Sequence, residues 1–316
     1  MLIKGHHHIS LYTKNIQESV YFYTHVLGLR LVAQSINQNN IRMYHIYFGD
    51  EVGHPGTVIT FFDIPTMDPQ VKGSNSIYRF SLLVPSVTAL SFFKKRLTEY
   101  GIQYNESCYL DQPAIDFQDV DGAPVRLIVN GSYKIPSNWQ GNSYSSIPME
   151  VQILGMGPVE LHLKELAPTL QFLTQTLNYQ VRPQHRHILT LNKEGLYSDF
   201  VLVEDHSSTV KPGHGYTHHI AVDVANEADL AEVIRRIDRL PGNHTPIIDR
   251  GFFQSVYYRH NRIMFEFATS GPGFVVDEVS IDEMGQVLLL PDFLEARREE
   301  IESYLAPLYK EKETDH

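Results

Sequence analysis

Three residues far apart in the chain have the types and settings to hold one metal ion. His8 sits in Gly5-His6-His7-His8-Ile9-Ser10-Leu11, and His219 sits in Thr217-His218-His219-Ile220-Ala221-Val222-Asp223. Each is followed by Ile and then by alternating residues, with Asn15 and Asn226 seven positions on. Alternation of period two marks a strand whose two faces differ. Ile9 and Leu11, like Ile220 and Val222, share one face; His8 with Ser10, and His219 with Ala221 and Asp223, take the other, more polar one. Glu266 lies in Ile263-Met264-Phe265-Glu266-Phe267-Ala268, where the same phase sets it opposite Ile263, Phe265 and Phe267. A carboxylate turned into a protein interior is costly unless paired or coordinated. Two neutral imidazoles and a carboxylate form the facial triad that leaves open positions on Fe(II) for a substrate and O2. Mn(II), Zn(II) and Ni(II) are alternative occupants. The competing reading pairs Glu266 with an arginine such as Arg250 and leaves the histidines in core or surface roles. Matched strand phase in all three segments favours the metal.

The elements that must position these residues repeat along the chain. After the first strand, Asn15 reads as a helix N-cap with Glu18 three residues on, and Asn226 with Asp229 does the same. Strand-like runs follow at 30–36, 41–48 and 57–64, giving βαβββ within residues 1–70. A second copy spans 71–130, with a strand at 78–84, a helix from Ser86 to Tyr100, and strands at 109–118 and 123–129 around the turn signal Asp121-Gly122. Residues 131–150 are rich in Ser, Asn, Pro and Gly and read as a linker. A third copy spans 151–210 and a fourth 211–290. Residues 291–316 form a C-terminal tail whose helix, over 291–312, could cap a domain or a dimer interface. Each unit exposes a sheet face that only a partner unit can cover, so the expected fold is α+β: four βαβββ modules in two curved-sheet, barrel-like domains. The position of His8 becomes Arg79 in the second module and Pro158 in the third, and neither is a ligand. Modules 1 and 4 must therefore pair around the metal, and modules 2 and 3 form a metal-free domain. The end of module 1, Thr57-Val58-Ile59-Thr60-Phe61-Phe62-Asp63, carries no Glu. Asp63 is its only candidate carboxylate and falls at the strand end.

Composition narrows the classes. A chain of 316 residues with 42% hydrophobic and 20% charged content has room for two ordinary globular cores. A net charge of −11 argues against a polyanion-binding surface, so no nucleic-acid partner is expected. No apolar run approaches the roughly 18 residues of a membrane span, and no signal segment opens the chain. The single cysteine, Cys108, fits a reducing cytoplasm.

The modules, the His7-His8-Ile9-Ser10 opening, His218-His219, the run from Asp249-Arg250-Gly251-Phe252-Phe253-Gln254-Ser255-Val256-Tyr257-Tyr258-Arg259 into Phe265-Glu266-Phe267-Ala268-Thr269, and the tail Leu290-Pro291-Asp292-Phe293-Leu294-Glu295-Ala296-Arg297-Arg298 together resemble one family over nearly the whole chain. It is the vicinal oxygen chelate superfamily of glyoxalases and extradiol dioxygenases, and within it the hydroquinone-type ring-cleaving dioxygenases. The resemblance implies Tyr257 as the active-site tyrosine that exchanges a proton with a substrate hydroxyl or the reacting oxygen. It implies Arg250 as a cation orienting substrate or oxygen, His7 and His218 as histidines beside the ligands, and Ser10 as a small hydroxyl residue. Strand phase sets His7 and His218 off the ligand face, so their roles require local twisting. Tyr44, Tyr47, Phe252 and Phe253 could stack a ring or belong to the core.

The function expected is a cytoplasmic, non-haem Fe(II) dioxygenase cleaving a hydroquinone- or catechol-like diol with O2, as a monomer or homo-oligomer. The alternatives are a glyoxalase-like isomerase or lyase using Zn or Ni, and a protein that sequesters a quinone or antibiotic without turnover.

Overall fold

The computed structural model describes residues 2–275 and 279–308. Module 1 comprises β1 (Ile3–Thr13), α1 (Ile16–Tyr21), β2 (Arg30–Asn37), β3 (Asn40–Gly49) and β4 (Val58–Asp63); module 2 comprises β5 (Ser76–Val84), α2 (Val87–Glu99), β6 (Tyr104–Tyr109), β7 (Gln112–Gln118) and β8 (Pro124–Val129). Module 3 comprises β9 (Gly155–Leu163), α3 (Leu166–Gln171), β10 (Gln180–Arg182), β11 (His185–Thr190) and β12 (Phe200–Glu204); module 4 comprises β13 (Thr217–Val224), α4 (Glu227–Ile237), β14 (Ile248–Asp249), β15 (Phe253–His260) and β16 (Ile263–Pro272). Asn15 and Asn226 cap α1 and α4 as expected, accepting from the backbone N–H of Glu18 and Asp229.

Each module pairs its first strand parallel with its last, β1 with β4, β5 with β8, β9 with β12 and β13 with β16. The modules then join edge to edge. β1 runs antiparallel to β13, closing module 1 on module 4, and β5 runs antiparallel to β9, closing module 2 on module 3. Thr217 opposite Ile77 links the two halves into one continuous, curved sheet. The apolar strand faces, Ile9, Leu11, Ile220, Val222, Phe265 and Phe267 among them, pack under the helices in the main core. The opposite face of β1 and β13 buries polar groups, and the site lies there.

Three segments differ from expectation. The single strand read over 109–118 is a hairpin, because Leu110 adopts a left-handed conformation and turns the chain. The linker segment lies packed on module 1: the Trp139 indole donates to the Pro55 carbonyl at 2.9 Å and Asn142 to that of Gly28 at 3.0 Å. Gly56 permits this approach, since a β-carbon there would meet the indole at 2.6 Å. The long C-terminal helix is two short ones, α5 (Asp292–Glu295) and α6 (Arg298–Tyr304), and its expected end lies partly outside the described residues.

Candidate metal centre

Strand register places the three candidate ligands on one face. His8 on β1 faces Ala221 on β13, Ala221 faces Glu266 on β16, and Glu266 faces Tyr257 on β15, one cross-strand row. His219 lies two residues before Ala221 on the same face and faces Ser10. His8 Nε2 and His219 Nε2 each stand 2.9 Å from Glu266 Oε2 and 3.2 Å from each other, and all three side chains are buried.

Pure alternation would turn His7 and His218 to the helix side, yet both reach the site because each occupies a bulge. Between the pairs His6–Val222 and His8–Ala221, β1 carries one extra residue, His7; between Ser10–His219 and Leu11–Thr217, β13 carries His218. A bulge re-aims the extra side chain. His7 Nδ1 meets His8 Nδ1 at 2.9 Å, and His218 Nδ1 meets His219 Nδ1 at 2.8 Å.

These contacts fix where the hydrogens sit. His7 Nε2 lies 3.2 Å from the Thr269 carbonyl, which only accepts, so His7 donates there. Burial and the neighbouring His8 push His7 down to about 3, which keeps it neutral, and its Nδ1 must then accept from His8. That hydrogen bond occupies His8 Nδ1 and leaves Nε2 as the nitrogen facing Glu266. Burial and His219 likewise push His218 to about 3. Burial opposes a charge on Glu266, but His8 and His219 hold its carboxyl well below the ordinary value. Neither Glu266 oxygen has a donor in hydrogen-bonding geometry. Buried acceptors converging without donors are unfavourable alone and suited to a cation. Ligands bound about 2.1 Å from one ion at right angles stand about 3.0 Å apart, which matches the three observed separations and the three mutually adjacent positions of a facial triad. The residues fit the implied metal.

The other expected site residues gather around this point. Arg250 does not reach Glu266; it donates to Gln38 Oε1 at 2.9 Å and to the Tyr257 hydroxyl at 3.3 Å. The Tyr257 ring packs edge-on to His219 at 5.3 Å. Burial and the charge of Glu266 push its phenol well above the ordinary value, with Arg250 opposing, so it carries its proton at neutral pH. Phe253 packs its ring 5.2 Å from His8, whereas Tyr44 belongs to the main core. A cavity of about 880 Å³ opens behind Arg250 between Phe252, Ser35, Leu289 and Phe293. Ser10 Oγ lies 2.6 Å from Thr60 Oγ1. Asp63 is not the module-1 counterpart of Glu266: Ser10 faces Thr60 on β4 as Ala221 faces Glu266 on β16, while Asp63 faces Thr13, three residues further on. His45, which bonds to Tyr47 through one ring nitrogen and to Thr60 through the other, also lines this side with Tyr47. A polar residue inside the apolar run Tyr44-His45-Ile46-Tyr47-Phe48 was their only sequence signal.

Residues 5–126 match the Glyoxalase/Bleomycin resistance protein/Dioxygenase superfamily. The chain belongs to this superfamily and stands among its ring-cleaving dioxygenases. It is 37% identical to the Bacillus subtilis protein named ring-cleaving dioxygenase MhqA, over 98% of this chain and all of that one. It is 27% identical to the chlorohydroquinone/hydroquinone 1,2-dioxygenase of Sphingobium indicum, over 95% of each. A solved Bacillus subtilis structure named as a dioxygenase superposes with a TM-score of 0.88 at 29% identity, covering 97% of this chain and 98% of that one. Among the described residues no helix is long and apolar enough to cross a membrane.

Proposed function

We propose that this chain is an Fe(II)-dependent dioxygenase that opens the ring of a hydroquinone-like diol, adding both atoms of O2. Two imidazole nitrogens and a buried carboxylate oxygen that lacks a hydrogen-bond partner, converging on one buried point, support this reading. His8, His219 and Glu266 would hold the ion. Ferrous iron supplies the one-electron chemistry that O2 requires to react with a closed-shell ring. Residues 1–70 and 211–290 form the metal-holding domain in this proposal, and 71–130 with 151–210 the metal-free one.

His7, donating to the Thr269 carbonyl, holds His8 in the tautomer that turns Nε2 inward, and His218 stands at the matching Nδ1 of His219. Tyr257 is the proton donor. Its ring stands against His219, and burial with the charge of Glu266 keeps its proton in place, ready for an oxygen that gains negative charge. Arg250 places a fixed positive charge beside that hydroxyl and beside the cavity, orienting an anionic or polar ring substituent. Hydroquinone is favoured over catechol because a 27% identical relative is named for it. Cys108, free and exposed, suits a reducing cytoplasm. The isomerase reading lacks support, since Thr60 occupies the place of a second carboxylate.

The test is to load the protein with Fe(II) without air, add hydroquinone, and admit O2. O2 consumption matched by a ring-opened acid is expected. Hydroquinone binding without O2 consumption would replace the proposal with sequestration, and turnover of a glyoxalase substrate without O2 would replace it with isomerisation.

A further inference from the structure

The site has two halves that answer each other residue by residue, and only one of them has been used. On the module-4 side the cross-strand row is Tyr257, Glu266, Ala221, ending on His8. On the module-1 side the matching row is Tyr47 on β3, Thr60 on β4, Ser10 on β1, ending on His219. Tyr47 is thus the counterpart of Tyr257, and Thr60 of Glu266. Thr60 cannot serve as an anionic ligand, and its side chain is shorter than that of Glu266. The module-1 row instead closes on itself through His45. The Tyr47 hydroxyl bonds to His45 Nδ1 at 2.8 Å, His45 Nε2 to Thr60 Oγ1 at 3.0 Å, and Thr60 Oγ1 to Ser10 Oγ at 2.6 Å. All four side chains are buried.

Three bonds use three of the chain's four hydrogens, and where all of them run in one sense the fourth is left at an end. If Ser10 donates into the chain, the spare hydrogen ends on the Tyr47 hydroxyl. That group has no other partner, and its ring packs against Phe252 at 5.4 Å and Phe274 at 5.1 Å. Among the described residues no acceptor stands within hydrogen-bonding range of that hydrogen. If Tyr47 donates, the spare hydrogen ends on Ser10, beside His219 on the ligand face. No described residue accepts it there. Resting on the dioxygenase reading above, we propose that the Tyr47–His45–Thr60–Ser10 chain is a positioning relay that donates from Ser10 to a hydroxyl oxygen of the diol, seating the substrate on the module-1 side of the metal. Replacement of a carboxylate by threonine then has a use: it keeps that side of the metal open and lines it with a donor. Substrate lies against module 1, and the proton-carrying Tyr257 faces it from module 4.

The experiment uses the zinc-loaded protein under argon with hydroquinone as probe, so that no turnover occurs, and reads affinity by calorimetry. Ser10→Ala and Thr60→Val are expected to bind roughly tenfold more weakly, as for one lost hydrogen bond, while Thr60→Ser binds as the parent does. Zinc content should be the same in all four. A merely structural Thr60 would lower the melting temperature without this split between valine and serine. Parent-like affinity in Ser10→Ala or Thr60→Val overturns the relay and leaves the dioxygenase reading standing. A zinc-loaded parent that binds no hydroquinone overturns both. Independently of any ligand, nitrogen-15 spectra of the zinc protein should find the His45 hydrogen on Nε2; a hydrogen on Nδ1 means the chain runs the other way and overturns the relay.

Discussion

The two halves of the sheet share a plan and fill it with different side-chain chemistry. β5 and β9 pair as β1 and β13 do, and Tyr78 is the extra residue on β5 where β1 has His7. At the positions of the ligands stand Arg79 for His8, Pro158 for His219, and Val201 for Glu266. Arg126 faces Ser81 where Thr60 faces Ser10. Around Arg79 every charge is answered. Its guanidinium bonds Asp116 at 2.9 Å and Glu160 at 2.7 Å; Arg126 bonds Asp116 through both atoms of its fork, and His162 joins Glu160 to Asp205. At the candidate ligands the Glu266 oxygens lack hydrogen-bond partners, whereas around Arg79 each carboxylate meets a guanidinium or an imidazole. The same fold therefore calls for an added cation in one half and supplies its own in the other.

The comparison breaks first at the ligands. Glu266→Ala, His8→Ala or His219→Ala should reduce bound iron from full occupancy to background, measured by metal analysis, with the circular dichroism of the fold retained. Full iron content in any one of them would remove the triad. Next, Tyr257→Phe should keep iron and substrate affinity and lower turnover by about 10² to 10⁴; unchanged O2 consumption would pass the proton to His218 or to water.

Smaller effects test the metal-free half. Arg79→Met strips Glu160 of its cation and leaves Asp116 to Arg126 alone, so denaturant unfolding should show a loss of about 2 kcal/mol with iron content unchanged. Iron loss would mean the halves are not independent. Glu160→Gln addresses the same network through pH. Against burial, His162 and Arg79 hold the Glu160 carboxyl at about 2, below its ordinary 4.5. A depressed folded value adds stability above 4.5 that is lost as pH falls toward 2. The parent should therefore exceed the variant by about 1 kcal/mol at neutral pH, with the gap closing between those values; a gap independent of pH would place the effect in packing. The smallest effect is Tyr258→Phe. Its hydroxyl donates to the Pro241 carbonyl at 2.8 Å, on the helix side, so about 1 kcal/mol of stability should go while turnover stays.

The convergence of the three candidate ligands was legible because a strand of known phase and a buried carboxylate are local signals, and because Arg79 and Pro158 rule out their own modules. The module pairing followed from those ligands rather than from any feature of the strands that meet. What strand phase could not convey is the bulge. One extra residue on β1 and one on β13 turn His7 and His218 to the ligand side, and only the register with the partner strand reveals it. The Thr60 position was hidden for a related reason: Asp63 carries the expected chemistry, but parallel pairing with β1 decides which residue of β4 faces the site. His45 looked like a member of an apolar strand, and Tyr47 read as either a ring-stacking or a core residue. The Ser- and Asn-rich stretch 131–150 read as solvent-exposed linker because its buried contacts use the backbone carbonyls of module 1, which composition does not display.

The pairing of β1 with β13 also has a consequence for how the molecule is made. Modules 2 and 3 are neighbours along the chain and can close on each other as soon as β9 has left the ribosome. β1, synthesised first, waits for a partner more than two hundred residues away, with one edge unpaired in the interval. Two of the three candidate ligands, His219 and Glu266, arrive only with the last module, so the proposed metal site is completed at the end of assembly and is absent from shorter nascent chains.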